Sequence, residues 1–266
     1  MPRLAWATDV HFEFCSQKQI DAFADSVRGA APDALLLAGD TATAPSLATA
    51  LKLLEARVPC PIYFVLGNHD FYGGGLGAVR GAIVTLTKGR HSLRWLPTAS
   101  VVSLSATTAL VGVDGWADGR YGDYWGSGVR LNDFRRIVEL TQLDRAAAFE
   151  SLNRLGDAEA SLLRLQLAQA VERHGRVVVV THVPPFREAA WHEGQASGPD
   201  YAPFFACRAT GEVLLTFAGE HPAVDFLVLC GHTHGAGEYQ PMPNLRVVTG
   251  GAIYGDPKLQ DLITVP

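Results

Sequence analysis

The chain has 266 residues, of which 48% are hydrophobic, and a formal net charge of −5 at pH 7. This length and composition predict a globular protein with a sizeable core. The acidic balance disfavours binding to a nucleic-acid backbone, and no apolar stretch approaches the roughly 18 residues that span a membrane. The four cysteines form no C-x-x-C pair, and no apolar leader precedes the first strand-like run, so we expect a cytoplasmic protein with reduced thiols.

Short apolar runs that end in turn residues recur along the chain and predict buried strands. In chain order they are LAWAT before Asp9, ALLLAG before Asp40, PIYFVLG before Asn68, ALVGV before Asp114, RVVVVT before His182, DFLVLCG before His232 and LRVVTGG before Ala252. The region 93–115 has strand character without helices between its parts. We therefore expect neighbouring or antiparallel strands there.

Helical patterns lie between these strands. Apolar residues at three-to-four spacing predict helices over 19–30, 46–58 and 211–221. The longest helical region runs from Leu143 to His174, and Gly156-Asp157 predicts a break in it, with Asp157 capping the second half. The alternation of strands and helices predicts an α/β fold. We expect one domain over 1–266, with pocket-forming insertions near 116–133 and 184–208.

Polar side chains follow the ends of five of the predicted strands. They are Asp9 and His11, then Asp40, then Asn68, His69 and Asp70, then His182, and finally His232 and His234. Binding sites in open α/β sheets form beyond the carboxyl ends of the strands. We therefore expect these side chains to meet at one end of the fold.

His232 and His234 belong to the stretch Gly-His-Thr-His-Gly. In an extended chain, a spacing of two residues points both rings to the same side, and the glycines leave room for a close approach. A polar turn with two incidental histidines explains this stretch equally well when it is taken alone. The other strand ends decide between the two interpretations.

The residue types at these strand ends suit transition-metal ions. Imidazole nitrogen and carboxylate oxygen are ligands of manganese, iron, zinc and nickel. Seven candidate ligands are too many for one tetrahedral ion. They suit two ions about 3.5–4 Å apart that share a bridging carboxylate.

The same residues resemble the motifs of the calcineurin-like metallophosphoesterase family. Its five blocks are present in order as Asp9-x-His11, Gly39-Asp40, Gly67-Asn68-His69-Asp70, Thr181-His182 and Gly231-His232-Thr233-His234. The resemblance implies a four-layer α/β-β/α sandwich of two mixed sheets flanked by helices. It implies one metal ion held by Asp9, His11 and His234. It implies a second held by Asn68, His182 and His232, with Asp40 bridging the two.

The resemblance also implies a hydrolase of phosphomonoesters or phosphodiesters. Two divalent or mixed-valence transition-metal ions would supply a bridging hydroxide as the nucleophile. In the family the residue matching His69 is not a ligand but faces the substrate, and the carboxylate matching Asp70 orients it. We therefore predict that His69 is the general acid and that Asp70 fixes its tautomer.

The two insertions offer further candidates for substrate contact. Arg130 could clamp a phosphate, and His192 is the best single candidate for an additional contact. Asp114 matches no block of the family and is predicted to be a turn residue. A small phosphorylated molecule is the expected partner, with neither nucleic acid nor a membrane favoured.

Two other functions compete with phosphoester hydrolysis. A dinuclear-metal hydrolase that acts on a non-phosphate substrate generally uses a set such as H-x-H-x-D-H, which this sequence lacks. A non-catalytic scaffold of the same fold would have lost ligands, and none is lost here. The sequence leaves open the natural substrate, the identity of the metals and the oligomeric state.

Overall fold

The computed structural model describes residues 1–266 and contains thirteen strands and seven α-helices. The strands are β1 (Arg3–Ala7), β2 (Ala34–Ala38), β3 (Ile62–Val65), β4 (Leu93–Trp95), β5 (Val102–Ser103), β6 (Thr108–Gly112), β7 (Arg176–Val180), β8 (Trp191–His192), β9 (Gln195–Ala196), β10 (Asp225–Cys230), β11 (Gly237–Met242), β12 (Leu245–Thr249) and β13 (Ile263–Thr264). The helices are α1 (Gln17–Ala30), α2 (Ala44–Glu55), α3 (Leu76–Thr87), α4 (Asp133–Arg136), α5 (Arg145–Val171), α6 (Ala202–Phe205) and α7 (Arg208–Glu220).

Two mixed sheets form the centre of the molecule. The first has the strand order β13-β1-β2-β3-β4, and the second has the order β11-β12-β10-β7-β6-β5. Antiparallel pairs occur only at sheet edges, between β13 and β1, between β11 and β12, and between β5 and β6. The inner strands are parallel and apolar along their length, as expected for strands covered on both faces. All seven predicted strands are present, as β1, β2, β3, β6, β7, β10 and β12.

Helices cover the outer faces of both sheets, which gives four layers. Leu36 of β2 packs with Val178 of β7 and Leu229 of β10 in the core between the sheets. Helices α1, α2 and α3 pack on the outer face of the first sheet, and α5 and α7 pack on that of the second. The predicted α/β-β/α sandwich is therefore confirmed. The helices predicted over 19–30, 46–58 and 211–221 correspond to α1, α2 and α7.

The region 93–115 is divided between the two sheets. Strands β5 and β6 pair antiparallel, as predicted. Strand β4, however, pairs in parallel with β3 in the first sheet. A 3-10 turn over Leu96–Thr98 follows β4 at once, and Leu96 is buried between the sheets. The chain crosses from one sheet to the other at this turn, which apolar patterning alone does not reveal.

The predicted break at Gly156-Asp157 is wrong, because α5 continues without interruption from Arg145 to Val171. Gly156 is buried, and a Cβ there would lie 2.6 Å from the Cβ of Asp118 and 3.3 Å from the Sγ of Cys207. Asp157 does not cap a helix; its carboxylate accepts two hydrogen bonds from Arg120. The glycine thus serves the close packing of α5 on the insertion and not a helix end.

Asp114 is not a simple turn residue, which corrects the prediction. Its buried carboxylate accepts hydrogen bonds from the backbone N–H of Leu66 at 2.9 Å and from the Trp95 indole at 2.8 Å. It also pairs with Arg80 of α3, which in turn binds Glu159 of α5. This network ties the end of β6 to β3, β4 and two helices. The buried charge of the Asp114 carboxylate is thus matched by the guanidinium of Arg80.

The two predicted insertions differ in structure. Residues 116–132 contain no regular element before α4 begins at Asp133, whereas residues 184–208 contain a 3-10 turn, the β8–β9 hairpin and α6. Tyr124 of the first insertion and Phe204 of the second belong to one small apolar cluster. None of the helices is both long and apolar enough to cross a membrane.

We predict that Gly156→Ala destabilises the fold although alanine favours helices. The new Cβ overlaps Asp118, and overpacking of this kind costs about 1–3 kcal/mol of the free energy of unfolding. A Cβ added at Gly81 in α3 would have no other atom within 4 Å, so Gly81→Ala is the matched control and should stabilise by roughly 0.5–1 kcal/mol. Urea unfolding measures the free energy of unfolding of both variants. Equal stabilisation of the two would contradict the packing role of Gly156.

Candidate metal centre

The candidate ligands lie beyond the carboxyl ends of five parallel strands. Asp9 and His11 follow β1, Asp40 follows β2, Asn68 follows β3, His182 follows β7, and His232 and His234 follow β10. Because both sheets present these ends at the same end of the sandwich, side chains from residues 9 to 234 meet in one place. This is the location that open α/β sheets favour for binding sites.

Five of these residues adopt a left-handed backbone conformation. The φ angles are 51° at Asp9, 43° at His11, 52° at Asp40, 71° at His232 and 59° at His234. Such conformations cost on the order of 1–3 kcal/mol each outside glycine and cluster at functional sites. They turn each strand end sharply inward. The segment from His232 to His234 is therefore not extended, as the sequence pattern had suggested, but doubly turned.

Glycines next to two of the candidate metal ligands let side chains from neighbouring strand ends come close. A Cβ at Gly231 would overlap the side chains of Thr8 and Asp9, and a Cβ at Gly67 would overlap the carboxylate of Asp40. Neither glycine has a positive φ. Their role is therefore to leave space between neighbouring strand ends and not to supply unusual backbone angles.

Asp9, His11 and His234 form a first group of donor atoms. The Nε2 atoms of His11 and His234 are 3.1 Å apart. The Oδ1 of Asp9 lies 3.4 Å from the Nε2 of His234 and 3.9 Å from the Nε2 of His11. One small cation can contact all three atoms at once.

Asn68, His182 and His232 form a second group. The Oδ1 of Asn68 lies 3.1 Å from the Nε2 of His182 and 3.0 Å from the Nδ1 of His232. Asp40 lies between the groups, with Oδ2 3.7 Å from the Nε2 of His11 and Oδ1 3.5 Å from the Nε2 of His182. The structure thus divides the seven residues in the way that the resemblance implies.

Hydrogen bonds on the outer side of the rings fix the histidine tautomers. The Nδ1 of His182 lies 2.9 Å from the carbonyl oxygen of Ala38, and the Nε2 of His232 lies 2.9 Å from that of Phe204. A carbonyl oxygen only accepts, so each of these nitrogens carries a proton. When both rings are neutral, the facing nitrogens, His182 Nε2 and His232 Nδ1, carry no proton and lie only 3.2 Å apart. Two lone pairs at this distance repel unless a cation lies between them, so the donor set fits a metal ion.

Asn68 is oriented by Asp133, a residue that the sequence did not single out. The Nδ2 of Asn68 donates to the Oδ1 of Asp133 at 2.8 Å, and the hydroxyl of Tyr72 donates to the same oxygen at 2.6 Å. The amide oxygen of Asn68 therefore points toward His182 and His232. Asp133 lies 65 residues from Asn68 in the chain, so no local motif reveals the pair.

Asp70 does not orient His69, which corrects the prediction. Its carboxylate accepts three backbone hydrogen bonds, from Thr41 and Ala42 at 2.9 Å each and from Gly67 at 2.8 Å. It thereby ties the loop after β2 to the loop after β3. The carboxylate within reach of the His69 ring belongs instead to Glu13.

Glu13 lies between two histidines of the site. Its Oε1 is 3.2 Å from the Nδ1 of His11 and 3.6 Å from the Nδ1 of His69. A carboxylate at Nδ1 leaves the Nε2 of His11 free to bind a metal ion. Although burial raises the pKa of Glu13, the hydrogen bond from His11 and the nearby ring of His69 lower it to about 2. Nothing in the sequence pattern marks Glu13 beyond its position two residues after His11.

The buried charges of the site are unbalanced without a cation. Burial, together with the negative charges of Asp9 and Asp70, raises the pKa of Asp40 well above its usual value. Burial and the neighbouring His182 lower the pKa of His232 to about 3. A positive ion would stabilise the ionised carboxylate of Asp40 and bind the unprotonated nitrogen of His232.

A cavity of about 400 Å³ opens over the candidate ligands and His69. His192 lines this cavity, in agreement with its expected position near the substrate. Arg130 does not line it and lies instead along a separate cleft with Tyr124 and Phe134. The chain turns so that Leu131 and Asn132, rather than Arg130, face the ligands. The structure therefore does not support the expected position of Arg130 in this cavity, and its contact with phosphate stays a prediction.

A larger cavity, of about 540 Å³, lies between the open edges of the two sheets. It is lined by residues such as Trp6, Arg246 and Ile263 and by none of the candidate ligands. The larger volume does not make this cavity the candidate site. The smaller cavity is the candidate because its wall contains the possible metal ligands.

Comparisons with known proteins agree with this geometry. A family model described as calcineurin-like phosphoesterase matches residues 2–236. None of the curated protein sequences matches the chain significantly.

Three solved structures illustrate the likeness of fold. A phosphopantetheinyl hydrolase from Mycobacterium tuberculosis is 17% identical, with a TM-score of 0.69 over 97% of this chain and 95% of that one. A dimetal phosphatase from Danio rerio is 14% identical, with a TM-score of 0.60 over 96% of this chain and 89% of that one. The anchor protein of the inner membrane complex of Plasmodium is 14% identical, with a TM-score of 0.54 over 94% of this chain and 71% of that one. At these identities the likeness shows the fold alone.

We predict that Asp133→Ala weakens metal binding although Asp133 is not itself a ligand. Without its anchor, the Asn68 amide turns freely, and loss of such a supporting contact typically lowers metal affinity about 10–100-fold. Chelator competition with Mn²⁺ measures the affinity, and circular dichroism checks that the variant is folded.

Two variants serve as controls for Asp133. Tyr72→Phe removes a hydroxyl that donates to Asp133 and accepts from the Asn68 amide but leaves the bond between Asp133 and Asn68, so its metal affinity should fall less than that of Asp133→Ala. Asp225→Ala alters an exposed carboxylate at the far end of β10 and should change nothing. Metal affinity of folded Asp133→Ala equal to that of the unmodified chain would contradict the proposed orientation of Asn68.

Proposed function

Because this chain belongs to the calcineurin-like phosphoesterase family, we propose that it hydrolyses esters of small phosphorylated molecules with the aid of two transition-metal ions. The observation that supports the proposal best is the convergence of the donor atoms, with the protonated ring nitrogens of His182 and His232 turned outward. A full set of inward lone pairs is costly to assemble and has no structural use without cations.

Seven residues would hold the two ions. Asp9, His11 and His234 would hold one, Asn68, His182 and His232 the other, and Asp40 would be shared. Nitrogen and oxygen ligands of this kind suit manganese, iron, zinc or nickel, in divalent or mixed-valence pairs. When bound, such ions polarise a phosphoryl group and acidify a water molecule that can attack it.

His69 is the proposed general acid. It lines the cavity above Asp40, and its backbone N–H donates to the Oδ1 of Asp40 at 2.8 Å, which fixes the residue over the centre. Tyr72 stacks on its ring with centroids 4.1 Å apart. A histidine held in this way can donate a proton to the departing alkoxide. Such general acid catalysis typically raises the rate of hydrolysis about 10²–10⁴-fold.

The cavity favours a small substrate. About 400 Å³ accommodates a molecule of metabolite size. The chain carries no excess of positive charge, with 22 basic against 27 acidic residues, which disfavours a nucleic-acid backbone. We propose a small phosphomonoester or phosphodiester as the partner.

A non-catalytic scaffold is the competing function. The anchor protein from Plasmodium has the same fold, with a TM-score of 0.54, so the fold by itself does not distinguish a scaffold from an enzyme. The retention of every candidate ligand favours catalysis, since a scaffold has no need for strained residues such as His232 and His234. Hydrolysis of a non-phosphate substrate by the same centre is the other alternative.

The test is hydrolysis of bis(p-nitrophenyl) phosphate by metal-stripped protein, with and without added Mn²⁺. We expect turnover only with metal, and we expect Asp40→Asn to abolish it because the shared ligand is lost. His69→Asn should retain metal but turn over an ester with an alkyl leaving group about 10²–10⁴-fold more slowly. The p-nitrophenolate leaving group needs less protonation and should be affected less.

His91→Asn is the matched control, since His91 is an exposed histidine outside the site. Its turnover should equal that of the unmodified chain. Protein that binds two Mn²⁺ ions but hydrolyses neither phosphomonoesters nor phosphodiesters would contradict the proposal and favour the scaffold or a non-phosphate substrate.

A further inference from the structure

The wall of the cavity over the metal centre contains histidines but no lysine or arginine. Fourteen residues line it. The acidic residues among them are Asp40, which belongs to the candidate metal ligands, and Glu193. The metal ions and His69 would face the phosphoryl group and its leaving oxygen, so the carboxylate left to face the organic part of a substrate is that of Glu193.

A two-residue hairpin loop places Glu193 at the rim of the cavity. Strands β8 and β9 pair with His192 opposite Gln195, and the loop between them has φ 51° at Glu193 and 78° at Gly194. Positive angles at both positions define a turn that usually carries Asn-Gly or Asp-Gly. Glutamate is an uncommon choice there, and it directs a longer carboxylate side chain to the rim.

The hairpin is packed closely against the loop that carries His234. A Cβ at Gly235 would overlap the backbone of Trp191, and a Cβ at Gly237 would overlap its indole ring. Trp191 therefore fixes the hairpin relative to the metal centre. This packing therefore positions the backbone of Glu193 relative to the metal centre.

An aromatic ring faces the same cavity from the C-terminal part of the chain. Tyr254 lines the cavity, and its ring centroid lies 4.6 Å from that of His11 and 4.8 Å from that of His234. Half of its surface is exposed (50%). Tyr254 also lies beyond residue 236, where the match to the family model ends. It is therefore a feature of this chain that the shared motifs do not explain.

We infer that the site selects phosphoesters whose organic group carries a positive charge of the alkylammonium class. An ammonium group is attracted both by a carboxylate and by the face of an aromatic ring, and Glu193 and Tyr254 supply these two features in one cavity. A substrate whose organic part carries a second phosphate or a carboxylate meets no lysine or arginine in the wall. This inference rests on the proposed phosphoesterase function and names the substrate class of the same site.

Three esters with one leaving group test the inference. They are 4-nitrophenyl phosphorylcholine, its uncharged carbon analogue 3,3-dimethylbutyl 4-nitrophenyl phosphate, and 2-carboxyethyl 4-nitrophenyl phosphate. The measured quantity is kcat/KM of the Mn²⁺-loaded enzyme for each ester. We expect the choline ester to be the best substrate and the carboxyethyl ester the worst.

Substitutions at the two residues identify the source of the preference. Glu193→Gln should lower the ratio of kcat/KM for the choline ester to that for the dimethylbutyl ester by about 2–5-fold, the range for an exposed charge pair. Glu193→Lys should reverse the preference in favour of the carboxyethyl ester. Tyr254→Leu should lower the same ratio by about 2–5-fold, whereas Tyr254→Phe keeps the aromatic face and should preserve it.

Glu188→Gln is the control for the loss of negative charge. Glu188 lies in the same insertion but pairs with Arg187 at 3.5 Å and is absent from the cavity wall, so the ratio should not change. Turnover of all three esters with ratios that neither Glu193 variant alters would overturn the inference and leave the phosphoesterase function intact. Absence of turnover for all three and for bis(p-nitrophenyl) phosphate would overturn both.

Discussion

The structure depends on bringing together groups that repel one another. His182 and His232 face each other with ring nitrogens 3.2 Å apart, and buried Asp9 and Asp40 lie beside them. Such an arrangement is unfavourable until cations occupy it. The two sheets, the left-handed strand ends and the glycines that make room for them all serve to hold it in place. Two metal ions would therefore complete the folded state as well as the proposed chemistry.

Residues of both insertions accept hydrogen bonds from candidate metal ligands on the side away from the proposed ions. Asp133, where the first insertion ends, holds the amide of Asn68. The carbonyl of Phe204 in the second insertion fixes the tautomer of His232. The same segments also form the cavity wall through Asn132 and His192. Changes in these loops would thus alter substrate contacts and metal affinity together, because one backbone segment determines both.

Local motifs made much of the site predictable, because each ligand directly follows an apolar strand. The parts that sequence reasoning missed depend on distant contacts. Asp133 acts on a residue 65 positions away, and the packing of Gly156 against Asp118 removed an expected helix break. Helix α3 was not foreseen, since its glycines at 77 and 81 weaken the helical pattern. Asp70 follows His69 in sequence, yet its carboxylate accepts hydrogen bonds from the backbone of the loop after β2 and of its own loop.

The number of metal ions bound per chain distinguishes two groups of ligands from one. Protein stripped with a chelator, reloaded with Mn²⁺ at neutral pH and freed of excess metal by gel filtration would be analysed by elemental mass spectrometry. We expect two ions per chain, and one fewer when either His232 or His234 is replaced by alanine. One ion or none in the unmodified chain would contradict the assignment of two ligand groups that share Asp40.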